Sequence, residues 1–343
     1  MKKPNHILVI RLSAMGDAAM AVPVLRTLLQ TYPDIRLTVI TKPFFAALFE
    51  ELPRTSCIAA DVYGKHKNFG LISLAKQAKN QGIDAVADLH NVLRSKVIRS
   101  CLKLVGIPTA KIDKGRHEKK KLVNAAGGNI SQLKRTHQRY ADVFAGLGLP
   151  IELANHAYPE HKTLSKKLHD IIGLQPRKLI GIAPFAAHKG KVYPLSFMKE
   201  VIRQLDEIGS YKIFLFGGGN EEKRMLDAIA APYREVTCLV NVLSFEEELT
   251  LISNLDLMVS MDSGNGHLAA MYNVKVITLW GVTHPYAGFA PFNQPNAQQL
   301  IANRDKYALI PTSIYGNKYP EAYENCMESI PVEVVVEKIL AVI

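Results

Sequence analysis

Cysteines and long apolar runs are scarce in this sequence, and each scarcity excludes a class of protein. The few cysteines show no spacing typical of a disulfide framework or a zinc site, and we expect buried thiols at Cys57, Cys101, Cys238 and Cys326. No stretch reaches the ~20 apolar residues that a membrane-spanning helix needs. Lys2 and Lys3 precede an apolar run, but Arg11 and Asp17 interrupt it. The sequence therefore predicts a cytoplasmic protein without a signal peptide.

Acidic residues are also outnumbered by basic ones. With 31 Asp and Glu against 42 Lys and Arg, the chain carries a formal net charge of +11. This excess favours an anionic partner such as nucleic acid, a phosphorylated glycan or a membrane surface. The composition, 48% hydrophobic and 21% charged, is that of a globular protein, and 343 residues are enough for two hydrophobic cores.

Short apolar runs alternate with helix-length amphipathic stretches, which is typical of parallel βαβ units. Predicted strands lie at residues 6–12, 37–41, 85–89, 179–184, 212–216, 257–260 and 274–279, and predicted helices at 18–31, 163–172 and 332–342. We predict two α/β domains, at residues 1–165 and 166–330, joined within the polar segment 149–176. A C-terminal helix, within residues 331–343, would pack on its own domain or back on the first. The basic tract Lys111–Lys121 is expected to be a mobile surface loop.

The segment Arg11-Leu-Ser-Ala-Met-Gly-Asp17 lies where the first strand gives way to a helix. Open α/β sheets bind ligands at this carboxyl edge of their strands. We expect Gly16 to allow a tight turn, and Ser13 and Asp17 to project above the strands. Asp17 is a candidate general base, although a helix N-cap explains it equally well.

A glycine-rich turn, Phe216-Gly-Gly-Gly-Asn-Glu-Glu222, joins a strand to a helix in the second domain. It allows a nucleotide to approach the backbone closely, and Glu221 would then accept hydrogen bonds from ribose hydroxyls. The segment is not a GxGxxG fingerprint. A plain strand-to-helix turn with Asn220 as the helix cap is an equally good interpretation.

The segment Met261-Asp-Ser-Gly-Asn-Gly-His267 follows an apolar strand and begins another helix. Its glycines and small polar residues would expose several backbone N–H groups, the arrangement that binds a diphosphate. We expect an anion site at Asp262, Ser263 and Gly264, with His267 as a secondary donor. A capped turn without a ligand is the alternative.

Three cationic candidates fall within four positions of the loop after the first strand of the second domain: His188, Lys189 and Lys191. No cluster of His, Cys or carboxylates has metal-ligand spacing, so we predict neither a metal ion nor a cofactor. Amides and cationic side chains would instead neutralise a leaving diphosphate. The loop sequence alone does not separate the three cations.

Together these segments resemble glycosyltransferase family nine, the bacterial heptosyltransferases that build the lipopolysaccharide inner core. The motifs that carry the resemblance over nearly the whole chain are RLSAMGD, DLHNVLRS (88–95), KVYP (191–194), FGGGNEE, MDSGNGHLAA and WGVTHP (280–285). The resemblance implies a GT-B fold, with two Rossmann-like domains facing each other across a cleft. The first domain would bind the acceptor and the second a nucleotide-sugar donor. The implied reaction is inverting transfer of a sugar, heptose from ADP-heptose, to an inner-core acceptor.

The resemblance also implies roles for individual residues. Asp17 would be the catalytic base and Lys191 the diphosphate-binding lysine. The donor side would comprise Glu221, Leu243, Asp262, Ser263, Gly264 and His267, and the acceptor side Ser13, Gly16, Arg94, Ser95 and Lys96. Where family members often have hydroxyl residues, this chain has Ala186 and Ala187. Some phosphate contacts to the donor would then be either missing or replaced by His188 or Lys189.

An acceptor such as lipid A bearing Kdo is anionic and membrane-bound. The surplus positive charge would therefore raise the rate at which the protein meets this acceptor and the time for which it stays bound. The expected location is cytoplasmic, at the inner face of the cytoplasmic membrane. One alternative keeps the fold but makes the protein a nucleotide-sugar epimerase without a lipid acceptor. The other is a non-catalytic protein that binds anions or nucleic acid. It has little sequence support, because the basic tract contains no interleaved aromatic residues for base stacking.

Overall fold

The computed structural model describes residues 3–343. The chain forms two compact units. The first consists of residues through Lys114 together with Arg135–Tyr158, and the second of Gly115–Lys134 together with Pro159–Ile343. The chain finally leaves the first unit at residue 158, inside the polar segment 149–176. The predicted limits at 1–165, 166–330 and 331–343 differ from these units chiefly at residues 115–134, which were predicted in the first domain.

The secondary structure of the described chain alternates between strands and helices. The strands are β1 (His6–Ile10), β2 (Arg36–Thr41), β3 (Thr55–Ala59), β4 (Ala85–Asp88), β5 (Thr109–Lys111), β6 (Lys178–Ala183), β7 (Tyr211–Leu215), β8 (Val236–Cys238), β9 (Leu257–Met261), β10 (Lys275–Trp280) and β11 (Gln299–Ile301). The helices are α1 (Met15–Thr31), α2 (Gly70–Asn80), α3 (Leu93–Leu104), α4 (Arg116–Asn124), α5 (Thr136–Ala145), α6 (Lys166–Ile172), α7 (Leu195–Ile208), α8 (Gly219–Ala230), α9 (Phe245–Ser253), α10 (Gly264–Ala270) and α11 (Val332–Val342).

The first unit is built on a five-stranded sheet in the order β3-β2-β1-β4-β5, with every pairing parallel. Ile7 of β1 is in register with Leu37 of β2 and with Ala85 of β4. All five residues of β1 are buried, because a parallel strand in the middle of a sheet is covered on both faces. This explains why residues 7–10 of β1 form an uninterrupted apolar run.

The second unit is built on a six-stranded parallel sheet in the order β11-β10-β9-β6-β7-β8. Its core combines the inward side chains of β6, β7 and β9 with the apolar faces of α7 and α11. The sequence left open which domain the C-terminal helix packs on. In the structure α11 packs on α7 of the second unit.

The sequence pattern missed β3, β5, β8 and β11, and all four are edge strands. Three of them are only three residues long. An edge strand is paired on one side only and is less completely buried, so it does not need the continuous apolar run that identifies a central strand.

The basic tract Lys111–Lys121 is not the mobile loop that was predicted. Its first residue ends β5, and Arg116–Lys121 form most of α4. Lys119 is buried, and its ammonium lies 4.0 Å from the centroid of the Phe289 ring in the same unit. The prediction failed because a lysine can bury its methylene stem while its charge contacts an aromatic face.

The scarcity of long apolar runs and of cysteines led to two predictions, one about membrane-spanning helices and one about thiols. Within residues 3–343, no helix combines the length and apolarity needed to cross a bilayer. The expectation of buried thiols is correct only for Cys326, since Cys57, Cys101 and Cys238 are partly exposed. Burial raises the pKa of the Cys326 thiol to about 12.

Candidate active site

A buried arginine and a partly exposed aspartate form the centre of the candidate site in the first unit. They lie near the carboxyl end of β1, which neighbours β4 at the point where the strand order reverses, and open α/β sheets leave a ligand crevice at such a point. Arg11 Nη2 lies 2.5 Å from Asp17 Oδ2. Arg11 Nη1 also donates to the Leu89 carbonyl at 2.7 Å. The guanidinium therefore fixes the Asp17 carboxylate at this edge of the sheet.

Asp17 is not the N-cap of α1. The cap residue is Ala14, and Asp17 is the third helical residue, whose Oδ2 accepts from the Ala14 N–H at 3.3 Å. Gly16 lies inside the first helical turn, so its expected role in a tight turn is wrong. Ser13 directly precedes the cap and is partly exposed. The capping interaction orients Asp17 and leaves part of its carboxylate accessible to solvent.

His90 belongs to the same site, although the sequence analysis did not select it. It follows β4, and its Nδ1 accepts from the Leu12 N–H at 3.4 Å. Burial, followed by the positive charges of Arg11 and Lys114, lowers the pKa of His90 to about 3. At neutral pH this imidazole is therefore uncharged. Because Nδ1 accepts from Leu12, the single ring proton lies on Nε2, which can donate one hydrogen bond beside Asp17.

Three of the five residues predicted on the acceptor side lie in the first turn of α3, in different environments. Arg94 is half-buried, and its guanidinium carbon lies 4.8 Å from the centroid of the Tyr63 ring. Lys96 is exposed. Ser95 is fully buried, and its hydroxyl donates to the Val92 carbonyl at 3.0 Å and accepts from the Val92 N–H at 2.9 Å. Ser95 therefore caps α3, and we do not retain it as an acceptor contact.

In the second unit, a lysine, an aspartate and a threonine meet at the carboxyl edge of the sheet. Lys191 follows β6, Asp262 follows β9 and Thr283 follows β10, and these three strands are neighbours. Lys191 Nζ lies 2.9 Å from Asp262 Oδ2, which also accepts from Thr283 Oγ1 at 2.8 Å. The strand order reverses between β6 and β9, so this cluster lies at the second sheet's own ligand-binding position.

The structure distinguishes the cationic side chains of the loop after β6, which the sequence alone did not. The Lys191 side chain is 12% exposed, whereas that of Lys189 is 82% exposed and lies 3.6 Å from Glu324. The carbonyl of His188 accepts from the Lys191 N–H at 3.0 Å, which closes the turn. Lys191 is therefore the only one of the two lysines held in the cluster.

Three glycines surround Lys191 closely. The Gly190 carbonyl accepts from the Val282 N–H at 2.9 Å, and a Cβ added at Gly281 would lie 2.1 Å from that carbonyl oxygen. A Cβ at Gly316 would lie 2.4 Å from Lys191 Cδ and 2.7 Å from Cγ. Because Gly281 and Gly316 carry no side chain, one loop packs on the carbonyl before Lys191 and the other on the lysine stem, which helps to hold the ammonium at Asp262.

The turn after β9 lies between a strand and a helix, as predicted, but not all of its residues have the predicted roles. Ser263 is the N-cap of α10 and makes no side-chain capping bond, and its buried Oγ has no hydrogen-bond partner in the structure. Gly264 begins the helix, and His267 is buried in its first turns. Gly266 is needed for packing, since a Cβ there would lie 2.6 Å from Ser260 Oγ. Asp262 binds Lys191 rather than presenting a free carboxylate.

The glycine-rich turn after β7 is closed by a glutamate. Glu222 Oε2 accepts from the Gly218 N–H at 2.7 Å, and Gly218 is the N-cap of α8. The suggestion that Asn220 caps this helix is therefore wrong. Glu221 is exposed in the first turn of α8, and Leu243 is partly exposed just before the cap of α9. Both can contact a ligand at the same edge as Lys191.

Metal-ligating side chains do not cluster in the part of the chain that the structure describes. No group of three or more His, Cys, Asp or Glu side chains there could hold a metal ion. The Lys191 ammonium is a positively charged group at this edge of the second sheet.

A model of the family described as glycosyltransferase family 9 (heptosyltransferase) matches residues 71–318. The chain belongs to this family. The glycosyltransferase is similar to lipooligosaccharide heptosyltransferase 2 of Campylobacter jejuni, with 25% identity over 329 residues that cover 94% of each chain. The family resemblance inferred from the motifs is thus confirmed.

Solved structures share the fold of the glycosyltransferase. The glycosyl transferase family 9 protein from Veillonella parvula has a TM-score of 0.76 at 17% identity, covering 98% of this chain and 97% of that one. ADP-heptose LPS heptosyltransferase II of E. coli has a TM-score of 0.70 at 19% identity, covering 98% of both chains. The glycosyltransferase therefore has the predicted GT-B fold, with two parallel-sheet α/β domains.

Three site residues of the glycosyltransferase were not selected from the sequence: Arg11, His90 and Thr283. Arg11 and His90 lie within the motifs RLSAMGD and DLHNVLRS, and Thr283 lies within WGVTHP. Their position shortly after the end of a strand was the available signal, because residues there lie at the ligand-binding edge. Which of them would meet Asp17 or Asp262 depends on the order of the strands in each sheet.

Proposed function

We propose that this glycosyltransferase moves heptose from ADP-heptose to an anionic lipopolysaccharide inner-core acceptor, with inversion at the anomeric carbon. The relative from Campylobacter jejuni is a lipooligosaccharide heptosyltransferase, and the similar structure from E. coli is an ADP-heptose LPS heptosyltransferase. The observation that carries the proposal is the Lys191 ammonium, held 2.9 Å from Asp262 at the ligand edge of the second sheet.

Lys191 is proposed to bind the diphosphate of the donor. An ammonium has three donor hydrogens, so the bond to Asp262 leaves two for phosphate oxygens. Backbone N–H groups at Ser263 and Gly264, with the partnerless Ser263 hydroxyl, would bind further oxygens. Glu221 would accept from the ribose hydroxyls, and the backbone at Leu243 would face the base. These contacts stabilise the negative charge that grows on the leaving diphosphate.

Asp17 is proposed to be the general base. The acceptor hydroxyl oxygen forms a bond to the anomeric carbon while the bond from that carbon to the diphosphate oxygen breaks. The diphosphate leaves with the electron pair, and the hydroxyl proton moves to Asp17. One displacement of this kind inverts the anomeric centre. Arg11 holds the base in position, and neutral His90 offers the acceptor a hydrogen bond.

The acceptor is proposed to be bound by the first unit. Arg94 and Lys96 supply positive charge near the carboxyl edge of its sheet, and the chain as a whole carries +11. An acceptor with carboxylates and phosphates at a membrane face would be attracted by this charge. We accordingly propose a cytoplasmic enzyme that makes peripheral contact with the inner face of the membrane, and a reaction that needs neither a metal ion nor a resident cofactor.

The roles of the two catalytic candidates can be tested separately. Asp17→Asn should lower kcat by roughly 10²–10⁴-fold and leave the Kd for ADP unchanged, because only proton removal is lost. Lys191→Ala should raise the Kd for ADP about tenfold or more and also lower kcat. Initial rates and calorimetric titrations measure these quantities. Near-normal kcat for Asp17→Asn would contradict the assignment of the base.

Asp17→Asn also breaks an ion pair to a buried arginine, so a matched control is needed. Glu51 forms a similar pair with buried Arg26 in the same unit, at 2.6 Å. Glu51→Gln should reduce stability to a similar extent but keep kcat.

Acceptor dependence separates transfer from epimerisation. Labelled ADP-heptose should be consumed only when acceptor is added, and the same rate should be seen in excess chelator. Conversion of the donor alone would favour the epimerase, and a reversible loss of activity in chelator would refute metal independence.

A further inference from the structure

Four large apolar side chains are exposed at the carboxyl edge of the first sheet. Phe44 follows β2, Tyr63 and Phe69 follow β3, and Leu93 follows β4; each is between 58% and 86% exposed. The carboxyl ends of parallel strands lie at one edge of a sheet, so these side chains share that edge. Folded proteins seldom expose large apolar groups together unless the surface binds a partner.

Tyr63 connects the three loops that carry these side chains. Its ring centroid lies 5.1 Å from Lys42 Nζ and 4.8 Å from the guanidinium carbon of Arg94. Lys42 is two residues from Phe44, and Arg94 is next to Leu93. Phe69 lies in the same loop as Tyr63, and this loop is folded on itself by bonds from the Lys67 N–H to the Gly64 carbonyl and from the Gly70 N–H to the Lys67 carbonyl, both at 3.0 Å. Residues 42–44, 63–69 and 93–94 therefore form one continuous surface.

The charges of this surface are mostly positive. Lys42, Lys65, Lys67 and Arg94 supply four cationic groups. Asp61, two residues before Tyr63, uses its carboxylate to accept from the backbone N–H groups of Gly64 and Lys65, at 2.9 and 3.1 Å. Aromatic rings bordered by lysine and arginine are the composition found where proteins meet the interface of an anionic bilayer.

We propose that residues 42–44, 63–69 and 93–94 form a lipid-facing surface that docks on an anionic bilayer. The aromatic and leucine side chains enter the headgroup region, and the four cations bind lipid phosphates. Asp17 follows β1 at the same edge of the sheet, so docking brings a lipid-linked hydroxyl to the side of the protein that carries the proposed base. The inference rests on the proposed function only in assuming that the acceptor is lipid-linked.

The test is sedimentation of the full chain with vesicles, without donor or acceptor. The protein should bind vesicles of equal parts phosphatidylcholine and phosphatidylglycerol, and bind phosphatidylcholine alone far less. Leu93→Ser combined with Phe69→Ser should lower the partition coefficient about tenfold or more, since two apolar side chains lose their burial. Lys65→Ala with Lys67→Ala should lower it by roughly tenfold and reduce the dependence on phosphatidylglycerol.

Helix α3 provides a matched control for these variants. Leu104 ends the helix that Leu93 begins, so it lies at the opposite edge of the sheet, and it is 87% exposed. Leu104→Ser should bind vesicles as the unchanged protein does, and thermal unfolding should show that every variant is folded. Phe69→Ser should also keep its transfer rate with a delipidated, water-soluble acceptor.

Three results would overturn the proposal: unchanged binding of the Leu93 and Phe69 variant, an equal loss for Leu104→Ser, or equal binding to neutral vesicles. A change in sedimentation-equilibrium mass without a change in vesicle binding would show a self-association surface instead. Failure of the proposed function is recognised separately, as absent transfer to a soluble acceptor despite intact vesicle binding.

Discussion

Replacing Gly316 by alanine should displace Lys191, although residue 316 is not itself proposed to contact the donor. Gly316 has a φ of +80°, and a Cβ there would lie 2.4 Å from Lys191 Cδ, 2.7 Å from Cγ and 3.4 Å from Thr283 Cγ2. Contacts under 3 Å with the middle of a side chain require that side chain to move. Because the Lys191 side chain is only 12% exposed, it has little room to shift, and we expect its ammonium to leave Asp262 when the stem moves.

Two free-energy costs follow, and they affect different measurements. Alanine in the left-handed region costs about 1–2 kcal/mol of folding free energy. Losing a charge-assisted hydrogen bond to the diphosphate costs about 1.5–3 kcal/mol, which is a roughly 10- to 150-fold rise in the Kd for ADP. Gly316→Ala should therefore be moderately less stable and bind ADP much more weakly.

Isothermal titration with ADP and denaturant unfolding measure these two effects. Gly209 provides the matched control, since its φ is +73° and an added Cβ would meet nothing within 4 Å. Gly209→Ala should lose similar stability and keep the unchanged affinity for ADP. In a Lys191→Ala background the clashing atoms are absent, so Gly316→Ala should cause no further loss of affinity.

The reasoning is refuted if Gly316→Ala binds ADP as tightly as Gly209→Ala does while Lys191→Ala binds weakly. That pattern would mean that the turn at 316 does not position the lysine. If Lys191→Ala also binds normally, the assignment of Lys191 as the diphosphate ligand is wrong.

Two further predictions concern buried polar groups. Burial raises the pKa of Glu248 to about 7, so the folded state holds a proton that the unfolded state loses, and stability falls as pH rises from about 4.5 through 7. Glu248→Gln should therefore increase the free energy of unfolding at pH 8, by on the order of 3 kcal/mol at most, and have little effect at pH 4.5; equal effects at both pH values would contradict this. Thr283→Val removes the donor to Asp262 and should weaken ADP binding several-fold in calorimetry. Thr278→Val, which removes a buried and partnerless hydroxyl in β10, should leave binding unchanged and increase stability; the reverse order of affinities would reject the role of Thr283.

Much of the candidate site could be located from the sequence, because its residues follow central strands. Asp17, Lys191 and Asp262 come shortly after apolar runs, and such positions lie at the ligand edge whatever the strand order. What each residue does there could not be predicted in the same way. Asp262 was expected to contact the donor, yet its carboxylate binds Lys191 and Thr283. Ser95 was expected to contact the acceptor, yet it caps α3.

The wrong prediction for Lys119 and the omission of His90 have a common physical origin. Both residues make contacts with residues that are far away in the sequence. Lys119 was assigned to a solvated loop because its neighbours are charged, but the Phe289 ring, 170 positions away by residue number, accommodates it. His90 was passed over because a lone histidine has no distinctive pattern. Its contact with Leu12, far away in the sequence, and the nearby charge of Arg11 place it in the site.

The amino-acid sequence alone determined the α/β class, the central strands and the family, since buried parallel strands must be continuously apolar and motifs are local. The tertiary structure decided which side chains meet: that Arg11 holds Asp17, that Lys191 rather than Lys189 joins the cluster, and that Gly316 packs on its stem. These pairings depend on strand order and on close approach between distant loops, and neither is encoded in the spacing of residues along the chain.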